Sequence, residues 1–198
     1  RLYNEIKPSE EQPILVSEKY KRSINFISSV KPKDRGKAIY NSQAIIRNLK
    51  QDQRIIDVAP KITEPVFFNS GTIQLSGMIY GSDVNAEEKL FQLTDYIIEG
   101  KVSDLNQNNS IIIGKGLADK MLLTTGDIIK ITSAKGNLAS LKIVGITQIG
   151  IADIDDKMSY TSLTTAQKLV GEPTNYVTDI QVKLYDITQA PALAKEFK

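Results

Sequence analysis

Apolar residues along this chain alternate between two spacings, every second residue and every third or fourth, and the switches divide it into strands and helices. The first clear alternation is residues 24–30 (INFISSV), apolar at Ile24, Phe26 and Val30, which predicts a half-buried strand. Pro32 and Gly36 break that pattern. Over residues 38–50, Ile39, Ile45, Ile46 and Leu49 fall on one helical face, so a helix should follow. Residues 55–68 are again apolar but carry Pro60 and Pro65, which cannot donate to a sheet ladder; an edge or bent strand is expected. After the Asn69-Ser70-Gly71 turn, residues 72–80 alternate across Gly77, completing a β-hairpin with a kink near that glycine. Asp83 is placed to cap a short helix over about residues 85–93.

The second half changes element more often. Ile111-Ile112-Ile113 reads as a strand buried on both faces, followed by two helical turns over residues 116–122 and a turn at Thr125-Gly126-Asp127. Strands are expected over 128–132 and 138–146, joined by Lys135-Gly136-Asn137, and again over 158–163. A helix over 164–170 would take Thr164 as its cap, with Gln167 in the capping-box position and Gly171 and Pro173 ending it. Residues 176–184 form a strand with Ile180, Val182 and Leu184 on one face. A final helix over 187–197 has Pro191 in its first turn and Leu193, Ala194 and Phe197 inward. Strand–helix units thus sit at both ends around a strand-rich middle, an α+β arrangement. Residues 1–23, polar and carrying Pro8 and Pro13, form a linker or edge segment. One subdomain would comprise residues 24–69 and 158–198, with residues 70–157 inserted as a β-rich one.

Composition narrows the chemistry. The chain has no Cys and no His, which excludes thiolate nucleophiles, Ser-His-Asp and Cys-His catalysis, disulfides and Cys-based metal sites. Lys plus Arg number 25 against 23 Asp plus Glu, and the longest basic cluster is Lys19, Lys21 and Arg22; this is not the concentrated basic face of a nucleic-acid binder. No apolar run approaches the roughly 20 residues that span a bilayer. Opening on Arg1 rather than Met, the chain is expected to be a processed form or an excised piece.

Four features invite a functional reading. Gly114-Lys115-Gly116 before a helix is compatible with anion binding, but GxxxxGK[ST] is absent and a tight strand-to-helix turn explains the glycines. Asp153, Asp155 and Asp156 offer oxygen ligands for a cation, or else an acidic turn between strands; the pattern lacks the fuller ligand set of a Ca²⁺ loop. Glu64, Glu99, Asp127 and Asp155 supply carboxylates, though no spacing selects an acid–base pair. Phe67-Phe68 lies on a strand, so one ring should face out, as a contact between subdomains or as a patch for a partner.

Several segments together carry a family likeness: SGMIYGSDV, YIIEGKVSDL, SIIIGKGLADKMLLTTGDIIKI, LKIVGITQIGIADIDDKMSYTSLTTAQKLVG and YVTDIQVKLYD. Their order resembles the extracytoplasmic domain of ABC-transporter permeases of the FtsX, LolC-LolE and MacB type. The residues carrying it are Gly81 with Asp83, Gly100, Gly114 with Leu117 and Ala118, Gly126 with Asp127, Gly145 with Gly150, then Asp155, Tyr160 and Ala166-Gln167-Leu169. Each has a structural explanation as turn, cap or core, so they mark a family rather than an active site.

The resemblance implies a porter-like subdomain formed from both chain ends with an inserted, Sabre-like β-rich one. It also implies a domain on the periplasmic or extracellular side, between the first and second of four membrane helices. The domain would be non-catalytic and without a cofactor. It would pass ATP-driven motion from a cytoplasmic ATPase, beside a second permease subunit, to a lipoprotein, peptide or envelope cargo. The family's last βα unit is normally followed by one more strand, whereas this chain stops in a helix. Two other classes stay open: a free-standing periplasmic or surface binding module, with a deep, partly aromatic pocket, and a carboxylate enzyme built around residues 153–156.

Overall fold

The computed structural model describes residues 2, 3, 18 and 37–197, and six of the nine strands described close on themselves. The strands are β1 (Leu2–Tyr3), β2 (Ile55–Ser70), β3 (Ile73–Ser82), β4 (Ile97–Gly100), β5 (Ser110–Gly114), β6 (Ile128–Ser133), β7 (Leu138–Thr147), β8 (Met158–Ser162) and β9 (Asp179–Leu184). The helices are α1 (Ser42–Gln51), α2 (Val84–Phe91), α3 (Lys115–Met121), α4 (Ala152–Asp155), α5 (Leu163–Val170) and α6 (Ala190–Glu196). The strand expected over residues 24–30, the Lys19, Lys21 and Arg22 cluster, and the break at Pro32 and Gly36 lie outside the described residues.

The closed ring runs β2–β3–β8–β5–β7–β6 and back to β2, with β3–β8 and β5–β7 parallel and the other four pairings antiparallel. Closure leaves these strands without a free edge along the shared register. The interior follows from period-two alternation. Val66 and Phe68, Ile111 and Ile113, Ile129 and Ile131, and Leu141 and Ile143 all enter one buried cluster, with Ile79 beside them. Leu117, Ala118 and Met121 of α3 join the same cluster. The outer face of β5 is also covered: Ile112 packs with Val84, Leu93, Val102, Leu105 and Val144, which is why the triple isoleucine is buried throughout.

A second core gathers residues distant in sequence. Ile46 and Leu49 of α1, Ile55 and Val58 of β2, Val177, Ile180 of β9 and Leu193 of α6 form it. The outer strand is β1, paired with β9 at Leu2↔Ile180. Arg54 holds α6 in place by bridging Asp52 at 2.6 Å and Glu196 at 2.7 Å. Its guanidinium, through a side-chain hydrogen bond, lowers the Asp52 carboxyl to about 2.

The 16 residues of β2 serve both cores. Residues 55–61 pair with β9 and residues 61–70 with β3, while Val66–Asn69 also meet β6. Pro60 and Pro65 both fall where β2 has one neighbour, the place where a missing N–H is tolerated. Boundaries expected at 69/70 and 157/158 fall at the β2–β3 turn and at the start of β8.

Local details differ from expectation in several places. The cap of α5 is Ser162, whose hydroxyl accepts from the Thr165 N–H at 3.3 Å; Thr164 is the second residue of the helix, two past the cap. The last strand begins at Asp179 rather than 176, because Val177 and Thr178 bond instead to Ile39 and Lys61. Ala194 is exposed, and Leu193 alone of α6 is fully buried. Asp83 does cap α2, accepting from the Asn85 and Ala86 N–H groups at 3.0 and 3.1 Å.

Candidate functional site

On the outer face of the barrel a cleft of about 300 Å³ opens between strands β2, β3 and β8 and the helix α2 with the 3₁₀ turn after it. Parallel pairing of β3 and β8 sets Tyr80 opposite Tyr160, and their rings lie 5.8 Å apart at 30°. Phe91, at the end of α2, and Tyr96 form the rim; they are 48 % and 42 % exposed. With Leu93, Ile149 and Met158 the walls are mostly aromatic and aliphatic, the composition of a ligand-binding surface rather than of a solvated groove.

Two opposite charges sit at its base. Lys61 Nζ donates to Glu87 Oε1 at 2.9 Å, with only 9 % and 5 % of the two side chains exposed. The same ammonium lies 5.0 Å from the Tyr80 ring centroid and 5.4 Å from that of Phe91, within cation–π range. The other carboxylate oxygen, Glu87 Oε2, is buried and has no hydrogen-bond donor. Burial, then the Glu87 carboxylate, pushes Tyr160 up to about 12, so its hydroxyl stays protonated at neutral pH. That hydroxyl has Met158 Sδ at 3.9 Å.

Of the cleft residues, the sequence singled out Tyr160 alone. A signal for the others existed in the spacing. Val84, Glu87 and Phe91 recur at three- and four-residue intervals, placing an acid on the apolar face of α2, and Lys61 interrupts the apolar run of β2. A buried acid and a buried base on neighbouring elements are the ordinary signature of a pair.

The other singled-out residues lie elsewhere. The Asp155 carboxylate is buried and accepts from the N–H groups of Ile149 and Gly150 at 2.8 and 2.9 Å. Asp156 pairs with Lys120 at 2.6 Å and Asp153 with Lys157 at 3.1 Å. The three carboxylates thus serve three different partners, and no cluster of metal-ligating side chains occurs among the described residues. Gly114 and Gly116 face this loop: a Cβ on Gly114 would stand 2.2 Å from the Asp155 carbonyl oxygen, and one on Gly116 2.1 Å from Asp156 Oδ1. Lys115 pairs with Asp119. Gly81 meets α5, where an added Cβ would lie 2.2 Å from Ala166 Cβ. Gly100 and Gly145 allow β4 and β7 to approach, and Leu117 and Ala118 are core. Asp127 accepts from Thr124 beside Gly126, and Gly150 turns the chain at φ +87°. The Phe pair divides as strand alternation requires: Phe68 is buried inside the barrel and Phe67 is 45 % exposed outside it.

With this geometry in view, the chain can be compared with known proteins. Residues 15–198 match the family model of the MacB-like periplasmic core domain. No curated protein sequence matches. Among solved structures, the extracellular domain of the noncanonic ABC-type transporter YknZ from Gram-positive bacteria superposes with a TM-score of 0.60 at 13 % identity, covering 79 % of this chain and 78 % of that one. The periplasmic region of MacB from Actinobacillus actinomycetemcomitans gives 0.55 at 14 % identity, over 78 % of this chain and 70 % of that one. At such identities the likeness speaks to the mixed α/β fold.

Proposed function

The chain belongs to the MacB-like periplasmic core domain family, and from that premise we propose that it is the extracytoplasmic domain of an ABC-transporter permease that transmits ATP-driven motion to cargo outside the membrane. The family is one of transporter-permease periplasmic domains rather than a catalytic one. In this reading a cytoplasmic ATPase supplies the energy, a second permease subunit completes the transporter, and the cargo is a lipoprotein, peptide or envelope component. No helix among the described residues is long and apolar enough to cross a membrane, so the spans would be contributed by flanking segments.

The observation that carries the mechanical part is β2. One unbroken strand of 16 residues enters both hydrophobic cores, so a displacement of its first half is delivered to the barrel by hydrogen-bonded backbone rather than by a loop. The two cores, which change over near residues 61 and 178, support a porter-like subdomain from both chain ends with a β-rich insertion, whose bounds expected from the sequence are 24–69 with 158–198 and 70–157. Exposed Phe67, on the outside of the barrel, is a candidate partner contact.

The parent reading frame tests the topology: one span before the domain and three after it support the permease, whereas a cleavable leader and a stop codon after residue 198 sink it. Spin labels on the barrel of the full permease, in membranes with its ATPase, test the motion. An ATP-dependent change in the inter-subunit distance supports transmission, and an unchanged distance overturns it. The aromatic cleft favours one second reading, a free-standing binding module, for which polar flanks on both sides would speak.

A further inference from the structure

We propose that the cleft on β2, β3, β8 and α2 binds a neutral, ring-bearing small molecule with a single N–H or O–H donor, of the indole or phenol class, and that Glu87 accepts that donor.

Several observations select this class. The walls are aromatic (Tyr80, Tyr160, Phe91 and Tyr96) and aliphatic (Leu93, Ile149 and Met158), which suits a planar apolar body stacked or set edge-on against them. Cationic ligands are disfavoured because the cation's place is taken. Lys61 already lies against the Tyr80 and Phe91 rings and already neutralises Glu87, so a ligand ammonium would meet a like charge beside it. Anions are disfavoured in turn by the Glu87 carboxylate at the same point. What is missing is one donor: Glu87 Oε2 is unbonded and closed off in the free protein, so a ligand must part the side chains over it to donate there, and a buried acceptor without a partner is costly enough to favour that. The volume, about 300 Å³, lies at the small end of ligand pockets and fits one or two fused rings. Tyr160, kept protonated, adds a polarisable wall without adding charge.

The chain has no Trp, so the fluorescence of added indole can be excited and followed without a protein background. The experiment titrates the 198-residue chain into indole and into N-methylindole, which keeps the ring and lacks the donor. Saturable one-to-one binding of indole, roughly tenfold weaker binding of N-methylindole, and loss of both in Phe91→Ala and Tyr96→Ala support the assignment. Those two positions are half-exposed, so the variants should fold, which thermal melting checks. Lys61→Met/Glu87→Met, which removes the acceptor without stranding the ammonium, adds a second readout, erasing the preference for indole over its methylated analogue.

Absence of saturable indole binding, meaning that water alone fills the cleft, overturns the proposal. So does equal affinity for the two probes, or displacement of indole by benzylamine. Tighter binding of N-acetyltryptophanamide than of indole would make the occupant a side chain of a partner polypeptide and likewise overturn the small-molecule assignment. None of these outcomes depends on membrane topology, so failure here and failure of the permease reading are separable.

Discussion

Removing one member of the Lys61–Glu87 pair should destabilise the protein far more than removing both charges together. In Glu87→Gln the Lys61 ammonium stays buried with its carboxylate gone. Breaking a buried pair in this way costs about 3–5 kcal/mol where nothing compensates. Here the Tyr80 and Phe91 rings, 5.0 and 5.4 Å away, return part of that. Cation–π contact with a desolvated ammonium is worth up to about 2 kcal/mol, which leaves an expected loss of about 2–3 kcal/mol. For a chain of this size that lowers Tm by about 5–10 °C. Lys61→Met strands the carboxylate instead and should cost a similar amount. In Lys61→Met/Glu87→Gln no charge is left to desolvate, and stability should return to within about 1 kcal/mol of the parent. Urea denaturation of the four proteins yields the coupling energy directly. Additive single losses, or single losses below about 0.5 kcal/mol, would refute the argument that the pair is desolvated and mutually dependent.

Further outcomes follow from other contacts. Asp155→Asn keeps one carbonyl oxygen where two carboxylate oxygens now accept from Ile149 and Gly150, and should cost about 1.5–3 kcal/mol, read as faster hydrogen exchange at those two amides. Gly81→Ala drives a Cβ to within 2.2 Å of Ala166 Cβ and should cost about 1–3 kcal/mol; adding Ala166→Gly should recover part of it, and no recovery would locate the strain elsewhere. Ser162→Ala, which removes the cap of α5, should cost about 1 kcal/mol in urea unfolding, whereas Thr164→Ala should cost little. Tyr160 is pushed up to about 12, so the native state holds its proton while the unfolded chain releases it from about pH 10. The unfolded state then binds fewer protons, and stability falls between pH 10 and 12, by about 1.4 kcal/mol at pH 11. Tyr160→Phe should lack that part of the decline, and an identical decline in both proteins would count against the buried phenol.

What the sequence disclosed was set by locality. The β2–β3 hairpin, the Asp83 cap, the turn at Gly126 and the buried Ile111–Ile113 strand each depend on a few adjacent residues, and each was legible from spacing alone. The cap of α5 slipped by two residues because Ser162, Thr164 and Thr165 are chemically alike, and only the direction in which the strand hands over to the helix separates them. Barrel closure was not legible, since it rests on β6 meeting β2 across some 60 residues of sequence, with no local mark on either strand. The acidic segment misled in one respect: three carboxylates in four residues look like one feature, yet backbone geometry points Asp155 inward and leaves Asp153 and Asp156 to separate lysines. The cleft was missed for the complementary reason. Its charged floor is assembled from β2 and α2, each of which shows a single discordant charge on an apolar face.

That floor also lies where the two cores join. Among the described residues the chain passes between them along β2 near residue 61 and again near residue 178, and Lys61 takes part in both crossings. Its backbone pairs with Ser82 of β3 and with Asp179 of β9, and its carbonyl oxygen accepts from the Thr178 N–H at 3.0 Å. Thr178 Oγ1 accepts in turn from the Thr63 N–H at 2.9 Å, locking the next residue pair of β2 to the returning chain. The side chain of this same Lys61 is the base of the aromatic cleft. A rearrangement of one core against the other would strain these hydrogen bonds. The cleft and the junction are therefore not independent sites: whatever fixes the Lys61 side chain fixes a residue about which the cores would move, and a substitution that frees it should loosen both.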